Sequence, residues 1–103
     1  TRIVETDKGE LAGFAVWEID NYAHVITIDV EPKFRRGKAG SMLIGTIEEN
    51  SKKNGALGVL LEVSVLNTVA ISFYLYHNYR AFSELPDYYG PGHHALMMIK
   101  LIS

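Results

Sequence analysis

The sequence predicts a mixed α+β domain, with a mostly antiparallel sheet and a helix crossover between two parallel strands. Alternation of apolar and polar residues, typical of strands, fills the first 31 residues. Two segments with helical spacing of apolar residues follow, separated by a short apolar run typical of a buried strand. With 103 residues, 48% of them hydrophobic, the chain is expected to form a single domain over 1–103.

The first part of the chain predicts an antiparallel meander of three strands. Residues 3–4 begin it, a turn over 7–10 precedes an apolar run over 11–19, and Asp20 and Asn21 form the next turn. In the third strand one set of alternating positions is expected on one face, and Pro32 ends the strand. The members of that set are His24, Ile26, Ile28 and Val30.

Two helices and three more strands are predicted downstream. A glycine-rich basic loop over 33–40 leads into a helix over 41–54, which places Leu43, Ile44 and Ile47 on one face and ends at Gly55. On the solvent side of this helix, pairs of acidic and basic side chains at four-residue spacing are expected. They join Glu48 and Glu49 to Lys52 and Lys53.

The remaining elements begin with a buried strand over 57–65, in which the carboxylate of Glu62 is unusual. Asn67 is placed to cap a second helix that runs to Asn78. Strands over 79–84 and 94–102 are joined by a turn-rich segment. A crossover helix makes the third and fourth strands parallel, whereas the hairpins at both ends are antiparallel.

Composition excludes several classes of protein. No apolar run approaches the roughly 20 residues that cross a bilayer, and Glu5 and Asp7 stand where a signal peptide is apolar, so a cytoplasmic protein without a membrane partner is expected. A net charge of −2 argues against a general nucleic-acid binder. The absence of cysteine excludes disulfides, thiolate zinc sites and a cysteine nucleophile.

Basic residues are concentrated before the first helix. Four of the ten lie within 33–38, namely Lys33, Arg35, Arg36 and Lys38. Glycines beside a helix N-terminus let backbone amides approach an anion such as a pyrophosphate, and the helix dipole favours negative charge. The spacing of the P-loop and of the dinucleotide-binding motif is absent. An anion site is favoured, with an ordinary solvated basic loop as the alternative.

The run from Pro32 to Leu43 resembles the acetyl-CoA loop of the GNAT acyltransferase superfamily. That pattern is Arg or Gln, two residues, Gly, one residue, then Gly or Ala, and here it begins at Arg35 and ends at Gly40. The sequence departs from it at Lys38, where the family usually has its first glycine.

A second region resembles the RimI-like and Ard1-like N-terminal acetyltransferases within this family. It comprises residues 61–63 with Asn67, Ala70, Ile71, Phe73 and Tyr74. The family's Gly-Phe appears as Asn78 and Tyr79, and asparagine tolerates a left-handed backbone. Tyr88 and Tyr89 with residues 95–98 are similar to the last hairpin of the subgroup, whereas the family's first strand and two following helices have no counterpart in this sequence.

The resemblance implies acetyl-CoA as cosubstrate and no metal. Main-chain groups of Ile28, Asp29 and Val30 are expected to hold the thioester and pantetheine, and Asn67 to touch the cofactor from the other side. The residues expected at the pyrophosphate are Arg35, Arg36, Gly37, Lys38, Ala39, Gly40 and Ser41.

The resemblance also implies Glu62 as general base and Tyr74 as general acid. His24 is a second candidate base facing the substrate amine, and Tyr88 and Tyr89 are candidates to grip the substrate backbone. Structural alternatives stay open from the residues alone. In those alternatives Glu62 is exposed or paired with Arg80, Tyr74 packs in the core, and the two later tyrosines fill a turn.

The expected reaction is direct acetyl transfer to the N-terminal α-amine of a protein or peptide, as in the ribosomal-protein-alanine type. An α-amine has a pKa of about 7.7 to 8.0, against about 10.4 for lysine, so a modest base suffices to deprotonate it. Alternatives are a small-molecule or lysine acetyltransferase, a non-catalytic CoA-binding module, and an RNA-binding protein. Assembly of two copies of the chain into a homodimer is also left open. The chain starts at what resembles the family's second strand, so a truncated enzyme or a minimal one completed by another chain is expected.

Overall fold

The computed structural model describes residues 2–5, 11–30 and 38–102. Six strands and two helices follow in the predicted order. They are β1 (Arg2–Glu5), β2 (Leu11–Ile19), β3 (Ala23–Val30), α1 (Ala39–Lys53), β4 (Gly58–Ser64), α2 (Thr68–Tyr76), β5 (Arg80–Leu85) and β6 (Ala95–Leu101).

The described strands form one sheet in the order β1-β2-β3-β4-β6-β5. Strands β3 and β4 are parallel, which confirms the predicted crossover through α1, and the other neighbouring pairs are antiparallel. The last strand lies between β4 and β5, pairing with both. The predicted hairpin is therefore present, and its second strand rather than its first adjoins the buried strand.

The predicted alternation along β3 is wrong beyond the first half of the strand. Val16 of β2 pairs with Thr27, whereas the next residue, Trp17, pairs with Val25. This register shift leaves Ile26 as an extra residue on β3, which is the arrangement of a β-bulge. A bulge breaks the period of two because one residue is inserted without an opposite partner.

The bulge changes which positions of β3 face the core, from odd-numbered residues before it to even-numbered residues after it. Before it, Val25 faces the core, so the neighbouring His24 points to the opposite face of the sheet. After it, Ile28 and Val30 pack against the same core. His24 and Ile28 therefore lie on different faces, contrary to the prediction that they share one.

Strands β3 and β4 separate soon after they meet. Their ladder consists of two register pairs, Ala23 with Val59 and His24 with Leu60. From Ile26 to Asp29, no described residue of β3 pairs with β4. The backbone of β3 that faces β4 is therefore exposed along a gap in the middle of the sheet.

The core lies between the sheet and one face of α1, and α2 packs at its border. Leu43, Ile44 and Ile47 are fully buried, which confirms the predicted apolar face of the first helix. Helix α1 starts two residues earlier than predicted, because the methyl group of Ala39 is buried as part of its first turn. It ends as predicted, with Gly55 at a φ of 82°.

Glu48 does not form the solvent-side pair predicted for it. Its carboxylate accepts hydrogen bonds from Lys100 Nζ at 2.8 Å and from the Tyr79 hydroxyl at 3.0 Å. Asn78 has a φ of 71°, which agrees with the left-handed backbone expected at this position, and the turn buries the Tyr79 ring completely. Glu48 thus ties α1 to β6 and to Tyr79, the residue before β5.

Neither helix in the described part of the chain is long and apolar enough to cross a membrane.

Candidate active site

An open cavity of about 830 Å³ lies where β3 and β4 separate. Residues 25–30 of β3 form one side and residues 61–64 of β4 the other. Gly40 of α1 lies at its border, together with Phe73 and Tyr74 of α2. The gap in the sheet therefore leads from the start of α1 to the carboxylate of Glu62.

The first turn of α1 presents backbone amides at this cavity. Lys38 is the N-cap residue and makes no side-chain capping bond, and its carbonyl accepts the N–H of Met42 at 2.9 Å. The N–H groups of the first helical residues, 39–41, precede that bond and have no partner within the helix. Such a turn binds an anion through its amides and its dipole.

Glu62 is held by two side chains from different elements. His24 Nε2 lies 2.8 Å from both carboxylate oxygens of Glu62, and the Tyr88 hydroxyl donates to Oε1 at 2.9 Å. The Glu62 side chain is 9% exposed, whereas that of His24 is 41% exposed. The open alternative, pairing of Glu62 with Arg80, is not what the structure shows.

Tyr74 lies in the same cavity with its ring half-buried between aromatic neighbours. The centroid of its ring lies 5.4 Å from that of Phe73 and 5.8 Å from that of Tyr79, and both pairs are edge to face. Burial raises the pKa of the Tyr74 hydroxyl, and the nearby Tyr89 raises it further. A raised pKa keeps the phenol protonated at neutral pH, as a proton donor requires.

The two tyrosines of the β5–β6 turn lie near the same carboxylate. Their rings pack edge to face, with centroids 4.9 Å apart. The hydrogen bond to Glu62 raises the pKa of Tyr88, while burial and then the charge of Glu62 raise the pKa of Tyr89. Tyr89 lines the cavity, whereas Tyr88 and His24 contact Glu62 without lining it.

The other predicted cofactor residues fall into three groups. Ile28, Asp29 and Val30 line the cavity along β3. Ala39, Gly40 and Ser41 form the first turn of α1, directly after the exposed Lys38. Arg35, Arg36 and Gly37 lie outside the described residues.

Asn67 both caps α2 and lines the cavity. Its Oδ1 accepts the backbone N–H of Ala70 at 3.1 Å, as predicted for an N-cap. Its amide nitrogen remains a donor, and the second lone pair of Oδ1 an acceptor, for a ligand.

Sequence reasoning missed several residues that shape this site. Phe73 lines the cavity and contacts the first turn of α1, because a Cβ on Gly40 would lie 3.3 Å from its ring. His77 Nε2 lies 3.1 Å from Ser41 Oγ. The position of Phe73, one residue before Tyr74 on an apolar helix, was a usable signal, whereas nothing in the sequence pairs residues 41 and 77.

A second open cavity of about 600 Å³ lies beside Trp17 and Asn50 and contains none of the predicted site residues. Among the described residues, no group of three or more His, Cys, Asp or Glu side chains is arranged to hold a metal ion.

Comparison with known proteins identifies the family. The model of the "Acetyltransferase (GNAT) family" matches residues 1–79, which is most of the chain. This chain belongs to the GNAT acetyltransferase family. As a member of that family it has the family's mixed α/β fold, and the resemblance seen in the sequence is confirmed.

Two curated relatives match this member of the GNAT family. An uncharacterized N-acetyltransferase of Methanocaldococcus jannaschii is 32% identical over 95% of this chain and 64% of its own length. An N-alpha-acetyltransferase of Sulfolobus acidocaldarius is 30% identical over 88% of this chain and 62% of its own length. The chain spans less than two thirds of the length of both relatives.

Solved structures similar to this member of the GNAT family include enzymes named for different acceptors. A nourseothricin acetyltransferase superimposes with a TM-score of 0.90 at 29% identity, covering 96% of this chain and 62% of its own. The ribosomal-protein-S18-alanine N-acetyltransferase of Escherichia coli superimposes with a TM-score of 0.84 at 26% identity. The match covers 95% of this chain and 66% of that enzyme. These likenesses leave the acceptor of this chain to be inferred from its site.

Proposed function

We propose that this protein transfers an acetyl group from acetyl-CoA directly to the N-terminal α-amine of a protein or peptide. The observation that carries the proposal is the cavity between β3 and β4, which joins the first turn of α1 to Glu62 and Tyr74. A phosphate site, a strand edge and two groups able to move protons thus lie along one continuous surface.

The described residues fit acetyl-CoA. The amides of the first turn of α1, which have no partner within the helix, suit a diphosphate, and Lys38 adds a positive charge beside them. The edge of β3 from Ile26 to Asp29, unpaired with β4, offers backbone groups to the amides of pantetheine. When bound, acetyl-CoA supplies an acyl group already activated as a thioester.

In this proposal, Glu62 and His24 act together in accepting the proton of the amine. An ionised carboxylate only accepts hydrogen bonds, so the 2.8 Å contacts place the proton of neutral His24 on Nε2. The other ring nitrogen, Nδ1, is then an acceptor, oriented by Glu62 on a partly exposed side chain. The pair therefore provides one oriented basic unit at the edge of the cavity.

Tyr74 is the proposed proton donor to the departing thiolate. Its hydroxyl makes no hydrogen bond to another residue in the described part of the chain, so its proton is available to a ligand in the cavity. Burial favours its neutral form. The base and the acid thus occupy separate elements, β4 and α2, that border the same cavity.

An α-amine is the acceptor that matches this machinery best. It needs only a modest base near neutral pH, whereas lysine needs a stronger one. The relatives named for N-alpha and ribosomal-protein-alanine acetylation support the same choice. The nourseothricin acetyltransferase supports a second candidate, a small-molecule amine acceptor, because its fold superimposes with a TM-score of 0.90.

The test is mass spectrometry of acetylated products after incubation with acetyl-CoA and three kinds of acceptor. One peptide has a free N-terminus and no lysine, a second has a blocked N-terminus and one lysine, and the third acceptor is a polyamine. We expect product on the free N-terminus, with the rate depending on the first two peptide residues. Product on the polyamine alone would contradict the proposed acceptor, and no detectable binding of acetyl-CoA by calorimetry would contradict the donor.

A further inference from the structure

We infer that His77 is a positioning residue that turns the hydroxyl of Ser41 toward the diphosphate of acetyl-CoA. The inference rests on the proposed function, because the diphosphate is the anion assigned to the start of α1. It adds a residue from the far end of α2 to that site.

Ser41 lies in the first turn of α1, next to Gly40, which lines the cavity proposed for acetyl-CoA. It is the third residue of the helix, and the first intrahelical bond of the described helix is made by the next N–H, that of Met42 to Lys38 at 2.9 Å. The backbone N–H of Ser41 therefore has no partner within α1. A hydroxyl on the same residue adds a second donor to that turn.

The hydroxyl of Ser41 is engaged by His77. Its Oγ lies 3.1 Å from His77 Nε2, although the two residues are 36 positions apart. Both side chains are half-buried. This contact joins the first turn of α1 to the residue that ends α2.

The imidazole ring of His77 is fixed by its surroundings. It packs on the Phe73 ring with centroids 4.6 Å apart and meets the Tyr76 ring edge to face at 5.2 Å. Its backbone N–H is bonded to the carbonyls of Phe73 and Tyr74. A ring held by two aromatic neighbours and its own backbone loses little further entropy when it orients a partner.

The hydrogen balance between these side chains decides where the Ser41 proton points. When His77 Nε2 carries hydrogen, it donates to Ser41 Oγ, and the hydroxyl proton is left to donate to an anion. When Nε2 is bare, the hydroxyl donates to His77 and has no proton for a ligand. A bound diphosphate therefore selects the state with hydrogen on Nε2, and the side chain of His77 supports binding through Ser41.

Close packing of the two helices keeps this geometry in place. A Cβ on Gly40 would lie 3.3 Å from two atoms of the Phe73 ring, which is tight contact. The ring that supports His77 is thus also the ring against which the first turn of α1 rests. Movement of either helix would separate Ser41 from His77.

The experiment measures the Michaelis constants for acetyl-CoA and for S-acetylpantetheine, an acetyl donor that lacks the diphosphate. His77→Phe keeps an aromatic ring and removes the donor, whereas His77→Gln keeps an N–H near the end of the side chain. We expect His77→Phe to raise KM for acetyl-CoA about three- to tenfold, the loss of one hydrogen bond, without changing kcat. KM for S-acetylpantetheine should not change, and His77→Gln should recover part of the loss.

A double-variant test separates positioning from a general structural effect. In a Ser41→Ala background, His77→Phe should produce no further rise in KM for acetyl-CoA. Ser72→Ala, at an exposed serine of α2, is the matched control and should leave both constants unchanged. Equal changes in KM for the two donors, or additive effects of the two substitutions, would overturn the inference.

Failure of the inference is distinguishable from failure of the proposed function. A wild-type protein that neither binds nor uses acetyl-CoA would remove both. A wild-type protein that acetylates an amine, with a folded His77→Phe variant of unchanged KM, would remove the inference alone. Should His77→Phe not fold, the comparison of Ser41→Ala between the two donors decides, since equal KM ratios would overturn the role of the hydroxyl.

Discussion

His24 and Glu62 form a hydrogen-bonded pair across the parallel strands β3 and β4, with Nε2 of the histidine 2.8 Å from each carboxylate oxygen. The register explains the pairing, because His24 lies opposite Leu60, and Glu62 follows two residues later on the same face of β4. The strands separate beyond this point. The pair therefore closes the paired part of the sheet and borders the cavity proposed for acetyl-CoA.

Replacement of Tyr74 tests the proposed proton donor. We expect Tyr74→Phe to lower kcat for acetyl transfer by about 10²-fold or more, because general acid catalysis typically contributes 10²- to 10⁴-fold. The affinity for acetyl-CoA, measured by calorimetry, should change little because the ring and its aromatic contacts remain. Tyr76→Phe is the matched control, since Tyr76 lies on the same helix and is 82% exposed. Unchanged turnover of Tyr74→Phe would refute the assignment.

Stability at alkaline pH depends on Tyr79. Burial and the neighbouring Glu48 raise the pKa of this hydroxyl far above the unfolded value of about 10. Below pH 10 the phenol is protonated in both states, so its contribution to stability is fully present. Above pH 10 only the unfolded phenol ionises, and stability is lost with rising pH by up to about 1.4 kcal/mol per pH unit.

Urea unfolding of the wild type and of Tyr79→Phe between pH 8 and pH 11 measures this effect. Other tyrosines with raised pKa values, among them Tyr74, contribute slopes of the same sign in both proteins. The difference between the two slopes above pH 10 therefore reports Tyr79. Parallel slopes would show that its hydroxyl ionises as readily in the folded protein as in the unfolded one.

Two glycines provide opposite tests of the fold. Gly45 is an exposed residue of α1 with no atom within 4 Å of an added Cβ, so Gly45→Ala should raise the free energy of unfolding by about 0.5 to 1 kcal/mol. A Cβ on Gly58 would lie 2.7 Å from the Lys100 carbonyl, so Gly58→Ala should lower it by about 1 to 3 kcal/mol. Urea denaturation of both variants decides, and changes of the same sign would contradict the packing described.

Local patterns in the sequence predict most of the fold because they depend on near neighbours. The α1 face formed by Leu43, Ile44 and Ile47 follows from helical spacing, and Asn67 and Gly55 mark helix ends through their own backbone chemistry. The parallel pairing of β3 with β4 follows from the crossover between them.

Features that depend on contacts between distant segments could not be predicted. The bulge at Ile26 arises from register against β2, so a strict period of two misassigned half of β3. Glu48 had an eligible partner in Lys52 by spacing, but the structure brings Lys100 closer. The candidate site falls between these cases, since the family resemblance implies Glu62 and Tyr74, whereas the hydrogen bond between His24 and Glu62 depends on the sheet register.

The most direct test of the account is the turnover of Glu62→Gln with acetyl-CoA and a peptide that has a free N-terminus. The amide has nearly the same shape as the carboxylate. Because it is uncharged, it is a poorer hydrogen-bond acceptor for His24 when His24 acts as a base. Glu84→Gln, at an exposed position on β5, is the matched control. We predict that Glu62→Gln lowers kcat by about 10²- to 10⁴-fold while acetyl-CoA affinity is retained. A kcat equal to that of the wild type and of Glu84→Gln would contradict the account.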